Sequence, residues 1–164
     1  ESFHINDEIY LIGAHGTHLS SSAYERCFFD HKIIKKDSVP PKVNLTSEKN
    51  NGNLITKLIN KKIISACHDI SDGGLVIALL EMFISRKVTI NFSKQFKSHA
   101  FLFGEDQSRY IITMDRTKLK EFEKNIKNTQ IQFTKIGRII EGNVVKFADS
   151  SFINIDELKK QNKL

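Results

Sequence analysis

The chain is expected to fold as an α/β (α+β) domain, a mixed β-sheet of about four or more strands covered by helices. Three observations lead there. Short apolar runs closed by glycine or polar turns alternate with helical stretches through the first half. Strand-like runs then cluster toward the end. No internal repeat, low-complexity tract or linker interrupts the pattern, so residues 1–164 are expected to form a single domain.

IYLIG (Ile9–Gly13) is the first strand, closed by glycine. A serine cluster follows, and Ser20, Ser21 or Ser22 caps the helix begun at AYERCFF. KKDSVPPKVNL is a loop, because Pro40–Pro41 cannot continue a helix. TSEKNNGNLITKLINKK is the next helix, with Thr46 or Ser47 as cap and Leu54, Ile55, Leu58 and Ile59 on one face. Lys62–Cys67 is a strand. The run from Gly74 to Ser85 is a helix with Leu75, Ala78, Leu79, Met82 and Phe83 on its buried stripe. Val88–Phe92 alternates as a strand should. FLFGEDQSR is a loop leading into strand Tyr110–Met114, and Thr117–Asn128 is an amphipathic helix with Leu119, Phe122 and Ile126 inward. IQFTKIGRII and NVVKF flank a Glu141–Gly142 turn as a hairpin, and INIDELKK ends in a short helix.

Composition narrows the class. Hydrophobic residues make up 40% and charged residues 27% of 164, the balance of a globular domain with a real core. No stretch approaches the roughly 18 apolar residues of a membrane span. The start, ESFHINDEIYLIG, carries no secretory pattern, and without an initiator Met it has the look of a cut end. Cys27 and Cys67 stand 40 residues apart with no CxxC, which suits reduced cytoplasmic thiols and no structural zinc. The net charge is +6, but the basic residues are mostly scattered lysines, with no local patch of a nucleic-acid binder. Neither a nucleic acid nor a membrane is expected as partner.

The richest stretch is SACHDISDGGLVIALLEM. Its turn packs His68, Asp69, Ser71, Asp72, Gly73 and Gly74 between a strand and a helix. Ligands of α/β sheets collect beyond strand C-termini, and a helix N-terminus with glycines suits phosphate. Asp69 and Asp72 are hard oxygen ligands suited to Mg²⁺. The plainer alternative is a cap by Asp72 or Ser71 and a tight Gly-Gly turn. A second cluster, Glu105, Asp106, Gln107, Ser108 and Arg109, precedes a strand. It is either a solvated loop, or Arg109 pairs with Asp69 or Asp72 or grips a phosphate.

HDISDGGLVIALLEM together with LFGEDQSRYIITM resembles the phosphoribosylformylglycinamidine synthase family (synthetase subunit II type), within the aminoimidazole ribonucleotide (AIR) synthetase-related superfamily. There the patterns are close to HDxSDGGL and LFxESQSR. IYLIG, VPPKVNL and FTKIGRII match further family segments, so the resemblance covers most of residues 9–147. The chain departs from the family at SSSAY (Ser20–Tyr24), where relatives carry GGSEY, and at Asp106, where Ser is usual.

The resemblance implies a single AIR synthase-related C-terminal domain, part of a larger chain in which N-terminal superfamily domains pair into a barrel. The implied activity belongs to a purine-biosynthetic C–N ligase. ATP activates formylglycinamide ribonucleotide, ammonia from a glutaminase subunit or domain displaces phosphate, and ADP is released; the isolated domain is expected to be inactive. By motif position Asp69 is the Mg²⁺ ligand. Ser71, Asp72, Gly73, Gly74 and Arg109 face the phosphates of ATP or ADP, and His68, Glu105 and Ser108 support them. No residue is singled out as catalytic. The alternatives are a non-catalytic domain holding a permanent nucleotide and another ATP-using member, such as a small-molecule kinase.

Overall fold

The computed structural model describes residues 3–29, 38–93 and 98–162. Seven strands form one sheet: β1 (Glu8–Ile12), β2 (Ala66–Asp69), β3 (Val88–Phe92), β4 (Tyr110–Met114), β5 (Phe133–Glu141), β6 (Val144–Lys146) and β7 (Phe152–Asn154). Their order is β2-β4-β1-β5-β3-β6-β7. All neighbours are antiparallel except β3 and β6. Helices α1 (Ala23–Phe28), α2 (Leu45–Asn60), α3 (Gly74–Phe83), α4 (His99–Phe103), α5 (Leu119–Ile126) and α6 (Ile155–Asn162) complete the fold.

The alternation of β1 splits the core in two. Ile9 and Leu11 join Leu75, Leu79, Phe83, Phe101 and Ile155, placing α3, α4 and α6 on one face. Tyr10 and Ile12 join Leu54, Leu58, Phe122 and Ile126, placing α2 and α5 on the other. The sheet is thus covered on both sides, which is why β1 reads as a continuous apolar run.

Several expectations shift. Asn44, not Thr46 or Ser47, caps α2 by accepting from Ser47 N at 3.0 Å. Ile59 is 52% exposed, and the fourth buried position of α2 is Asn51. The strand expected at Lys62–Cys67 begins at Ala66, because Lys62 sits at φ +54 in a turn. FLF, expected in a loop, lies in α4, and the short strand β7 was not foreseen. β5 and β6 are not a hairpin: β6 pairs with β3, so the chain crosses the start of β3 at Gly142. Gly142 has φ +135, and a β-carbon there would collide with Thr89 Oγ1.

The serine cluster does cap its helix. Ser22 accepts from Glu25 N and donates to Leu19 O. Ser21 adopts φ +59, a left-handed conformation that glycine takes without steric cost. Neither Cys27 nor Cys67 is in a disulfide, and no helix among the described residues is long and apolar enough to cross a membrane.

Candidate functional site

The HDISDGG turn and the GEDQSR loop meet at one end of the sheet. β2 and β4 pair with Asp69 opposite Tyr110, and Ile70 N donates to Arg109 O at 2.9 Å. This ladder carries the loop across the start of α3. The two motifs, thirty-odd residues apart in the sequence, therefore build one corner.

At the start of α3, Gly73 and Gly74 take φ values of +80 and +75. No side chain caps the helix, and Ser71 and Asp72 are exposed, so the capping alternative fails. Both glycine amides are already used. Gly73 N donates to Glu105 Oε1 at 2.8 Å, and Gly74 N donates to Ser71 O at 3.1 Å. A β-carbon on Gly74 would lie 2.6 Å from the carbonyl carbon of Phe103. The close approach that requires glycine here is to the chain's own backbone, where the sequence suggested a bound phosphate.

Glu105, Asp106 and Ser108 of the loop each tie down a different segment. Glu105 Oε1 also accepts from Ala23 N at 2.7 Å, so one carboxylate joins the first turns of α1 and α3. That places an internal anion where both helix N-termini are partially positive. Asp106 accepts from Thr17 N at 3.2 Å, His18 N at 3.3 Å and Thr17 Oγ1 at 3.2 Å. Ser108 sits at φ +64, and its carbonyl accepts from Asn51 Nδ2 at 2.7 Å. Asn51 is 5% exposed, which makes that amide a built-in brace between α2 and the loop.

Arg109 is 1% exposed. Its Nη1 donates to Gly104 O at 2.9 Å and its Nη2 to Phe101 O at 3.2 Å. Burial lowers its pKa from the ordinary value, against the opposing pull of Asp106. No ion pair with Asp69 or Asp72 forms among the described residues. The expected grip on a phosphate is thus corrected: a guanidinium sealed beneath its own loop clamps carbonyls.

His68 and Asp69 are neighbours at the end of β2, where His68 Nδ1 lies 2.6 Å from Asp69 O and 3.9 Å from the Asp69 carboxylate. His68 lies on the α3 side, with Nε2 3.8 Å from Glu81. Asp69 lies beside Tyr110, its cross-strand partner, with its side chain 67% exposed. Tyr110 donates to Glu48 Oε1 at 2.6 Å. Burial first, then the Glu48 carboxylate, pushes the Tyr110 hydroxyl up to about 12, while the Tyr110 hydrogen bond holds Glu48 below its ordinary value. A raised tyrosine pKa means that only the neutral form is favoured by folding. Its contribution is complete below pH 10 and is lost as pH climbs toward 12. Tyr110→Phe is expected to lose stability less steeply than the native chain across that window, measured as urea midpoints against pH. Parallel slopes would remove the dyad from the pH response.

Among the described residues no group of three or more His, Cys, Asp and Glu is placed to hold a metal. Asp69 and Asp72 both offer exposed carboxylates at the corner, and Asp69, at the strand end, fits a Mg²⁺ ion taking one protein ligand with phosphate oxygens and water as the others. Beside the corner a cleft of about 950 Å³ runs between α2, the 106–108 turn and the 128–132 connection. Asn44, Asn50, Asn51, Gln107, Ser108 and Lys57 are among its lining residues. The sequence reading missed Glu48, Asn51 and the bracing role of Asp106, because nothing local distinguishes them from surface polar residues.

The family described as AIR synthase related protein, C-terminal domain, matches residues 5–150. The phosphoribosylformylglycinamidine synthase subunit PurL of Bartonella quintana is 37% identical over 155 residues, 93% of this chain and 20% of that protein. The subunit of the same name from Pelagibacter ubique is 35% identical over 157 residues, 94% of this chain and 21% of that protein. This chain therefore spans about a fifth of the length of these relatives. A Thermotoga maritima PurL solved in complex with FGAR shares the fold with a TM-score of 0.76 at 15% identity, over 94% of this chain and 28% of that one. A thiamine-monophosphate kinase from Stenotrophomonas maltophilia gives 0.56 at 18% identity, over 88% and 51%. This chain belongs to the AIR synthase-related C-terminal domain family.

Proposed function

We propose that this member of the family serves as the C-terminal domain of a cytoplasmic, ATP-dependent phosphoribosylformylglycinamidine synthase. The whole enzyme would convert formylglycinamide ribonucleotide and glutamine-derived ammonia to the amidine, releasing ADP and phosphate. N-terminal superfamily domains and a glutaminase subunit or domain would complete it. One observation carries the reading: identity of 35–37% runs through 93–94% of the chain to relatives of that name.

The geometry supports the following division of parts. Asp69 is the group that would hold Mg²⁺, and that ion would supply charge neutralisation on nucleotide phosphates. Ser71 and Asp72 are exposed at the same edge, with Ser71 offering a hydroxyl to a phosphate. Gly73 and Gly74 act by shape, since their amides are taken. Glu105, Ser108 and Arg109 are positioning residues that hold the loop against α3, α2 and the sheet. His68 supports the strand end through Glu81.

A second reading is favoured by the Glu105–Gly73 hydrogen bond. With the helix N-terminus answered by an internal carboxylate, the corner suits a supporting role, beside a nucleotide that does not turn over. The deciding experiment is ADP release by the full-length protein given ATP, Mg²⁺, ammonia and formylglycinamide ribonucleotide. Asp69→Asn and Asp69→Ala are expected to lower turnover on the order of 10²-fold while leaving the fold intact, since the side chain is solvent-facing. Near-normal turnover in a folded variant would exclude Asp69 from the reacting site. Acid extraction of the native protein then separates the two roles: stoichiometric ADP that never exchanges marks the supporting one.

A further inference from the structure

On the face of the sheet opposite α3, helices α2 and α5 enclose a second depression of about 720 Å³. Lys57 of α2, Lys61 at its C-cap, and Lys120 and Lys124 of α5 line it. Each pair is spaced i, i+4, so each presents two ammonium groups on one helix face, an arrangement that destabilises a helix by itself. Here two such pairs face one another across a seam. All four lysines are exposed. None is in an ion pair with an acid among the described residues.

The one carboxylate in the depression is Glu121, and it stands 3.6 Å from Lys118, outside the set. Lys61 Nζ donates to Asn125 Oδ1 at 3.1 Å, and Asn125 Nδ2 in turn donates to Glu121 O at 2.8 Å. Asn125 is thereby oriented by its own helix and holds Lys61 over the seam. Lys57 and Asn125 also line the cleft beside the corner, so the two depressions share a wall.

We propose that this seam is an anion site that takes a small polyphosphate, free or as the tail of a nucleotide. Four clustered ammonium groups with one oriented amide suit several linked phosphates better than a single one, because each phosphate relieves repulsion between a lysine pair. The site lies on the α2 and α5 face of the sheet, opposite α3, and it stands whether or not the ligase reading holds.

The test is isothermal titration of the full chain with inorganic tripolyphosphate at low ionic strength, with melting temperature followed in parallel. Saturable binding is expected, together with a rise in melting temperature. Lys61→Gln combined with Lys120→Gln is expected to weaken binding on the order of tenfold. Without ligand that double variant is expected to melt above the native chain, because the like-charge contacts are gone. Lys146→Gln, which removes an exposed charge at the end of β6 outside the seam, is expected to leave the affinity unchanged. ATP binding more tightly than tripolyphosphate, with the same loss in the double variant, identifies a nucleotide's tail; equal affinities identify the phosphates alone. Unsaturable binding, an unaltered affinity in the double variant, or an equal loss in Lys146→Gln would each overturn the site. So would an oligothymidylate that binds where tripolyphosphate does not.

Discussion

Replacing Arg109 by Ala is expected to lower the unfolding free energy by about 4 kcal/mol, a large share of the 5–15 kcal/mol typical of a domain. The reason is what stays behind. Gly104 O and Phe101 O accept from this guanidinium, and each buried carbonyl left without a donor costs about 1–3 kcal/mol. The truncated side chain adds a void, since its Nη1 fills the space under Gly16. One term works the other way. Nε of Arg109 is buried without a partner, and removing a poorly solvated charge recovers part of the loss. Arg109→Lys separates these effects. It keeps the charge but offers one nitrogen where two carbonyls wait, so about 2 kcal/mol is expected. Urea unfolding of the three proteins gives the ranking, Ala below Lys below native. A cost for Arg109→Ala under about 1 kcal/mol would mean that the loop holds without its clamp. The consequence reaches the site, because the same loop carries Glu105 to Gly73 and Asp106 to Thr17.

The two motifs that carry the family resemblance were legible as separate stretches, and their convergence on one corner is the structural reason they belong together. What each residue does there was not legible. Arg109, read from its charge, suggested a phosphate; burial turned it into a backbone clamp. Asp106, a departure from the family pattern, proves to hold the 17–18 segment through two backbone amides and the Thr17 hydroxyl. Asn51 carried no signal at all. It occupies an apolar face of α2, where its partner is a carbonyl 57 residues away. Element types survived better than pairings. The turn at Glu141–Gly142 has the chemistry of a hairpin, but the same residues serve when the chain crosses β3 instead, and only the parallel partner of β6 decides between them. Single-face periodicity found most of the buried stripes of α3 and α5. It misplaced Ile59, which stands in the last turn of α2 and is exposed.

Gly74→Ala is the sharper test of what the glycine pair does. The variant must adopt φ +75 with a β-carbon, which costs about 1–2 kcal/mol. It must also push that carbon against Phe103 Cα at 2.7 Å and Gly104 O at 2.8 Å. Those are backbone atoms fixed by α4 and by the Arg109 clamp, so relief demands moving the loop, and overpacking of this kind adds about 1–3 kcal/mol. The expected total is about 4 kcal/mol. Gly73→Ala shares the left-handed φ, but its clashes are with one side chain, Ile77 Cγ1 at 2.5 Å and Cβ at 2.9 Å, so a small shift of α3 relieves them without moving the loop. Its cost is expected near 2 kcal/mol. Gly52, inside α2 with nothing nearer than Tyr110 Oη at 3.7 Å, is the control, and Ala there is expected to stabilise by about 0.5–1 kcal/mol. Urea midpoints in the order Gly52→Ala, native, Gly73→Ala, Gly74→Ala are what a chain crossing requires. If Gly74→Ala were instead as stable as Gly73→Ala, the backbone approach would not be what demands glycine. The pair would then be explained by the left-handed turn alone, leaving room at the helix N-terminus for a ligand's phosphate.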